Sequence, residues 1–69
     1  MQIVTFNRRR FREIRENRGL SQADFGASVG ASRALIDSIE RGLVKPRTVL
    51  VEAVCNNYNV SPNHLFNYE

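Results

Sequence analysis

The sequence predicts a single all-α domain of five short helices, and three observations support this fold class. Residues able to cap a helix recur along the chain with apolar residues on either side of them. Glycine or asparagine follows most of the predicted helices, and apolar residues repeat at helical spacing. With 69 residues, 42% of them apolar, the chain fits one domain over residues 1–69. We expect residues 1–6 to form an N-terminal arm or strand.

The predicted helices begin where a side chain can accept hydrogen bonds from the unpaired N–H groups of a first turn. Four of these positions also carry a hydrophobic staple, in which the apolar residue before the cap is followed five positions later by another. They are Asn7, Ser21, Ser32 and Ser61, and a fifth start, at Thr48, has a cap without a staple. The helices are therefore predicted at residues 8–17, 22–29, 33–41, 49–58 and 62–67.

The helix ends are marked by residues that accept a left-handed backbone. Gly19, Gly30 and Gly42 follow three of the segments and Asn59 follows a fourth, as is typical of helix C-termini. Apolar residues at helical spacing then identify the buried faces. The predicted core comprises Phe11, Ile14, Phe25, Val29, Ile36, Ile39, Val51, Val54, Cys55, Tyr58, Val60 and Leu65.

Positive charge is concentrated near the start of the chain. The net charge is +3, but residues 8–18 hold six arginines against two glutamates, whereas residues 36–69 carry a net charge of −1. This asymmetry favours a polyanionic partner. A solvated helix face is the alternative interpretation of the basic run.

The other reactive residues do not indicate an enzyme or a metal site. One cysteine, Cys55, and one histidine, His64, cannot form a disulfide framework or a zinc site. We recognise no nucleophile–base pair and no phosphate-binding glycine loop, so we expect no catalysis, no cofactor and no metal. No apolar run approaches the roughly 20 residues of a membrane span, and a small chain without disulfides suits the cytoplasm.

Residues 22–41 have the spacing of a helix-turn-helix. A short helix ends at Gly30, and a second begins after a turn of a few residues, as that motif requires. Gly26 is predicted to lie where the two helices approach most closely, at a cost of about 1 kcal/mol of helix propensity relative to alanine. Two ordinary antiparallel helices are the alternative.

Further residues extend this motif. The letters LSQADFG occupy positions 20–26 and IERG positions 39–42, and Gly30, Ile36 and Pro46 complete the pattern. In this combination the chain strongly resembles the Cro/lambda-repressor type of helix-turn-helix, found in XRE-like transcriptional regulators. The resemblance covers residues from about 11 to 66. It implies a compact five-helix lambda-repressor-like DNA-binding domain in which helices two and three form the helix-turn-helix.

The resemblance also implies roles for individual residues in DNA binding. In that family the second helix of the motif lies in the major groove. The positions that would face base edges are Ser32, Arg33, Ala34, Asp37 and Ser38. Arg33 can hold guanine O6 and N7 bidentately. Asp37 either accepts from cytosine or pairs with Arg33 one turn earlier, and we favour the pair.

Other residues of the pattern imply phosphate contacts and an ion pair. Gln22, at the start of helix two, would meet a phosphate together with the helix N-terminal amides. The residues that would contact phosphates around the following loop are Arg41, Lys45 and Arg47, of which Arg47 can also reach a minor groove. Arg15 and Glu40 match a pair that the family joins across helices one and three, and we expect a partly buried ion pair there.

The predicted function is that of a sequence-specific DNA-binding transcriptional regulator, a repressor that binds a palindromic operator as a homodimer. Two recognition helices one helical turn apart, about 34 Å, read such a site. We expect the subunit contact on helices four and five, with Leu50, Phe66 and Tyr68. Residues 1–6 can instead pair as a strand with a second subunit, or form a locally packed or flexible tail.

The alternative is an antitoxin or another protein-interaction module, whose main partner is a protein such as a toxin. Leu35, Leu43 and Val44 stand where the family usually has polar residues. They predict an exposed apolar patch near the DNA face or at a subunit contact.

Overall fold

Four α-helices and a two-stranded antiparallel sheet make up residues 4–68, the part of the chain that the computed structural model describes. The elements are β1 (Val4–Phe6), α1 (Arg8–Glu16), α2 (Gln22–Val29), α3 (Arg33–Glu40), α4 (Thr48–Tyr58), a 3-10 helix (Pro62–Leu65) and β2 (Phe66–Tyr68). No helix of this part of the chain has the length and apolar character needed to cross a bilayer.

Four of the five predicted caps, at Asn7, Ser21, Ser32 and Ser61, form as the sequence indicates. The side chains of Asn7, Ser21 and Ser32 each accept a hydrogen bond from the backbone N–H three residues later, at 3.0–3.1 Å. Gly30 and Asn59 close α2 and α4 in left-handed conformations, with φ of 75° and 54°. Thr48 is not the cap of α4, because it is already helical and Arg47 precedes it without a capping side-chain hydrogen bond.

The predicted fifth helix is wrong. Residues 62–65 form a 3-10 helix, and the chain then extends as β2. Phe6 pairs with Phe66 in the antiparallel register, and the two rings pack edge to face at 5.8 Å. A six-residue segment gains little from helix formation by itself, so strand pairing and aromatic packing determine its structure. The domain is therefore mostly helical rather than all-α.

The same pairing gives the N-terminal segment, from Val4 onward, the structure of a strand. Val4–Phe6 pairs with residues of its own chain and not, at this edge, with a second subunit. Residues 1–3 of the expected N-terminal arm or strand lie outside the described residues. The backbone N–H of Asn7 also donates to the carbonyl of Leu65 at 2.7 Å, so the two ends of the domain are held together.

The core lies between the helices and contains most of the predicted residues. Its buried members are Phe11, Ile14, Phe25, Ile36, Ile39, Leu50, Val51, Val54, Cys55 and Leu65. Val29, Tyr58 and Val60, also predicted as core, are only partly buried and pack against it. Burial raises the pKa of the Cys55 thiol, which favours the unreactive protonated form.

Two residues expected at a subunit contact are in the core region instead. Leu50 is buried in the core, and Phe66 packs against Phe6 and the core. Tyr68 is 48% exposed, and its hydroxyl donates to Asn63 Oδ1 at 2.9 Å. The apolar character of Leu50 and Phe66 is therefore accounted for by packing within the monomer.

Candidate nucleic-acid interface

The turn between α2 and α3 depends on a glycine in α2. The N–H of Ala31 donates to the carbonyl of Gly26 at 2.8 Å, which brings the turn close to the helix. A Cβ on Gly26 would overlap the Ala31 carbonyl oxygen and lie 3.3 Å from Ile36 Cγ1. The predicted close approach at Gly26 is confirmed, and a side chain there would have to displace the backbone of the turn.

One face of α3 is anchored in the core, and the opposite face points to solvent. Ile36 and Ile39 are fully buried. Because a helix repeats every 3.6 residues, the residues on the face away from these two isoleucines are Ala34, Asp37, Ser38 and Arg41, and Arg33 lies at the edge of that face. Arg33, Ala34 and Arg41 are exposed, and Asp37 and Ser38 are half-buried.

Ser32 lies at the N-terminus of this helix and has a structural role already. Its Oγ accepts the hydrogen bond from the N–H of Leu35 at 3.1 Å, which caps α3. The residue is exposed, so the hydroxyl hydrogen remains able to donate outward.

A bidentate ion pair joins the end of α3 to α1. Arg15 Nε and Nη2 donate to the two carboxylate oxygens of Glu40 at 2.8 and 3.0 Å, and Arg15 Nη1 donates to the carbonyl of Leu20 at 2.9 Å. The side chains are only 13% and 5% exposed. The hydrogen bond to Glu40 raises the pKa of Arg15, so the guanidinium stays charged and α3 is held to α1.

Gln22 connects α2 to the same carboxylate and to the exposed face of α3. Its Nε2 donates to Glu40 Oε1 and to Asp37 Oδ1, both at 3.2 Å. Its Oε1 accepts a longer hydrogen bond, 3.4 Å, from Arg33 Nη1. The Gln22 amide is therefore engaged with three side chains of α3.

The predicted pair between Arg33 and Asp37 does not form. Asp37 Oδ2 lies 3.7 Å from Arg41 Nη1 instead, one turn later. A carboxylate placed four residues before a cation is the more favourable order on a helix. Arg33 turns to Gln22, so its guanidinium is not held by a carboxylate of α3.

The cations around the end of α3 are exposed. Arg41, Lys45 and Arg47 are all accessible on the chain that follows the helix. Arg8 reaches this region from α1 by donating to the carbonyl of Arg41. No local sequence signal could have placed Arg8 there, because the contact spans 33 positions and depends on how α1 packs against α3.

All three residues of the predicted apolar patch are exposed, and two of them line one groove. Leu35 and Val44 are 40% and 43% exposed and line one groove, but Leu43, 65% exposed, does not line it. Val49 completes the groove with 76% of its surface exposed. The sequence did not indicate Val49, because it lies in the first turn of α4 outside the apolar stripe of that helix.

Comparison with known proteins identifies the family. Residues 8–65 match the sequence model of a protein family that is described as a helix-turn-helix domain. The chain belongs to that family. Among solved structures, the chain is similar to the DNA-binding domain of the P22 c2 repressor, residues 1–76, determined by nuclear magnetic resonance. The two are 27% identical with a TM-score of 0.76, over 87% of this chain and 79% of that chain. A comparison with curated protein sequences gives no significant match.

Proposed function

We propose that this helix-turn-helix protein is a sequence-specific, DNA-binding transcriptional regulator that represses by occupying a palindromic operator as a homodimer. The main observation in favour of this proposal is that α3 presents an exposed face to solvent. Its opposite side is anchored by Ile36, Ile39 and the Arg15–Glu40 pair. The similar P22 c2 domain is described as the DNA-binding domain of a repressor, which supports the same partner here. The buried thiol of Cys55 suits the reducing cytoplasm.

In this proposal α3 lies in the major groove and reads base edges. Among the described residues the exposed Arg33 side chain is hydrogen-bonded only to the neutral amide of Gln22, so it can turn to guanine O6 and N7, a contact worth about 1–3 kcal/mol of discrimination. Ser38 can bond several bases and Ala34 can contact a thymine methyl. Ser32 contributes its hydroxyl hydrogen, because its oxygen caps the helix.

Asp37 has two possible partners in the complex. It can accept from the exocyclic amine of cytosine, or it can keep its contacts with Gln22 and Arg41. We assign it to the second role, because the carboxylate is already engaged on both sides and is only partly exposed.

Phosphate contacts come from the residues that flank α3. Arg41, Lys45 and Arg47 supply exposed cations, which position the protein without reading sequence. Gln22 marks the start of α2, where backbone N–H groups can meet a phosphate. Its side chain is bound to α3, so in this proposal it serves chiefly to hold Arg33 and Asp37.

The first experiment is repeated selection from a randomised duplex library at about 150 mM salt, which suppresses non-specific attraction. Enrichment of a palindrome with half-site centres about 34 Å apart is the expected result. Folding is checked by circular dichroism on the same sample. A folded protein that enriches no sequence would refute the proposal.

A further inference from the structure

The chain that follows α3 has few backbone hydrogen bonds. Gly42 and Leu43 donate to carbonyls of α3 at 3.1 and 2.9 Å. Among the described residues, the N–H groups of residues 44–47 make no backbone hydrogen bond. Segments with few such bonds open at a low cost in free energy. The placement of Arg41 and Lys45, two of the cations proposed for phosphate contacts, therefore depends on contacts with other parts of the fold.

Arg8 supplies one such contact from α1. Its Nη1 donates to the carbonyl of Arg41, the residue at the C-terminal cap of α3. Carbonyls at the end of a helix have no partner within the helix, and a cation is favourable there. The last turn of α3 contains no basic residue, so Arg8 provides a charge at this end from another helix.

The guanidinium of Arg8 also lies directly against the turn. A Cβ added to Gly42 would overlap Arg8 Nη1 and lie 3.0 Å from Arg8 Cζ. The lack of a side chain at Gly42 thus leaves room for the guanidinium. Arg8 lines a cavity of about 300 Å³ together with Gly42, Val44 and Lys45, and loss of its side chain would remove one wall of that cavity beside the loop.

This charge is unfavourable for the helix that carries it. Arg8 is the first residue of α1, Arg9 and Arg10 follow it, and the first turn holds no acidic residue. The helix dipole disfavours cations near a helix N-terminus. Departures from such local rules are expected at functional positions. The contact with the C-terminal end of α3 offsets this cost at Arg8.

We propose that Arg8 is a positioning residue for DNA binding, an inference that rests on the proposed function. Arg8 holds the turn after α3, so that Arg41 and Lys45 are placed for phosphates before the DNA binds. A loop that is ordered in advance lowers the cost of association. In this role Arg8 keeps its hydrogen bond to the Arg41 carbonyl in the complex and contacts no phosphate itself.

The test compares two arginines from the same turn of α1. Arg8→Met removes the donor to the Arg41 carbonyl. Arg10→Met is the matched control, because Arg10 Nη1 donates to another distant carbonyl, that of His64, at 3.2 Å. Both variants lose one charge and keep an apolar stem, but only the first alters the turn after α3. Arg8→Lys keeps the charge and a donor, and circular dichroism checks that each variant folds.

Two measurements are made on each variant. Fluorescence anisotropy follows binding to the duplex selected from the library between about 50 and 200 mM salt, and the slope of log affinity against log salt counts phosphate contacts. Amide hydrogen exchange of Leu43, whose N–H donates to the carbonyl of Ser38, reports opening of the turn. A residue that only stabilised the fold would change exchange throughout the domain and not at the turn alone.

We expect Arg8→Met to weaken DNA binding about three- to tenfold with an unchanged salt slope, and to speed exchange at Leu43 by a similar factor. Arg8→Lys should recover part of both losses. Arg10→Met should change each quantity less than about twofold, because its charge is screened from the DNA contacts. A slope reduced by about 1 in Arg8→Met would overturn the inference, since Arg8 would then contact a phosphate itself. Equal effects of Arg8→Met and Arg10→Met would overturn it as well.

Failure of the proposed function gives a different result. If the wild type binds every duplex alike, sequence reading fails, while the salt slopes and exchange rates of the variants still decide the role of Arg8. If the wild type binds no duplex, both the proposed function and the role of Arg8 in DNA binding are refuted.

Discussion

Removal of Arg15 should destabilise the domain severely. Arg15→Ala deletes two charge-assisted hydrogen bonds to Glu40 and one to the carbonyl of Leu20. Glu40, 5% exposed, then keeps its carboxylate in a nearly dry site with Gln22 as its remaining side-chain donor among the described residues. Breaking one partner of a buried pair costs about 3–5 kcal/mol. A domain of 69 residues has only about 3–10 kcal/mol in total.

The matched control lies on the same helix. Arg12 pairs with Glu16 at 3.0 Å, but those side chains are 56% and 45% exposed. Arg12→Ala should therefore cost no more than about 0.5 kcal/mol, although the substitution and the helix are the same. Urea unfolding followed by circular dichroism gives both values, and equal losses would refute the view that burial makes the Arg15 pair different.

A double substitution separates a stranded charge from lost packing. Arg15→Met keeps much of the apolar stem, and Glu40→Leu removes the charge that would otherwise be left alone. The double variant should therefore be more stable than the Arg15→Met variant and should regain most of the lost free energy of unfolding. The reason is that buried ion pairs are often no more stabilising than apolar side chains in their place. A double variant less stable than the single one would contradict this reasoning.

Three further predictions concern the helix-turn-helix. Gly26→Ala should destabilise the domain by about 1–3 kcal/mol in urea, because its Cβ meets the Ala31 carbonyl; a neutral effect would show that the turn moves away freely. Arg33→Lys keeps the charge but loses the bidentate fork, so guanine preference at one position of each half-site should fall by about 1–3 kcal/mol. An equal loss on every sequence in a binding-site profile would exclude base reading. Arg47→Ala should reduce the salt slope of DNA binding by about 1, and an unchanged slope would remove Arg47 from the phosphate contacts.

The helix boundaries could be predicted because their signals act over a few residues. Ser32 caps α3 through an N–H three positions along the chain, and Gly30 closes α2 by its own left-handed backbone. The close approach at Gly26 could be predicted from the spacing of the motif. Each of these features is determined by interactions within or between adjacent elements.

The C-terminal segment could not be predicted in the same way. Its staple residues, Val60 and Leu65, do pack in or against the core, so the local signal identified the apolar residues that pack inward. That signal does not determine how far a helix continues. The structure of the chain after Leu65 depends on contacts with Phe6 and Asn7. The ring of Phe6 packs on Phe66, and Asn7 Nδ2 donates to the side chain of Asn67, 60 positions away in the sequence. Such pairing is visible only once the chain has closed on itself.

The side-chain partners on α3 also could not be predicted from the spacing of residues along the chain. Asp37 has an arginine four residues before it and another four residues after it. Spacing alone permits either pair, and Gln22, from the neighbouring helix, engages both Asp37 and Arg33. The candidate reading face thus depends on a residue outside α3.

That dependence also limits what Gln22 can do in a complex with DNA. A phosphate contact by its side-chain amide would have to replace two hydrogen bonds to carboxylates, and bonds to charged groups contribute about 1.5–3 kcal/mol each. The backbone N–H groups at the start of α2 require no such exchange. Glu40 holds Gln22 through one oxygen and Arg15 through both, so α1, α2 and α3 meet at one carboxylate. The orientation of Arg33 and the stability of the fold are for that reason controlled by the same contacts.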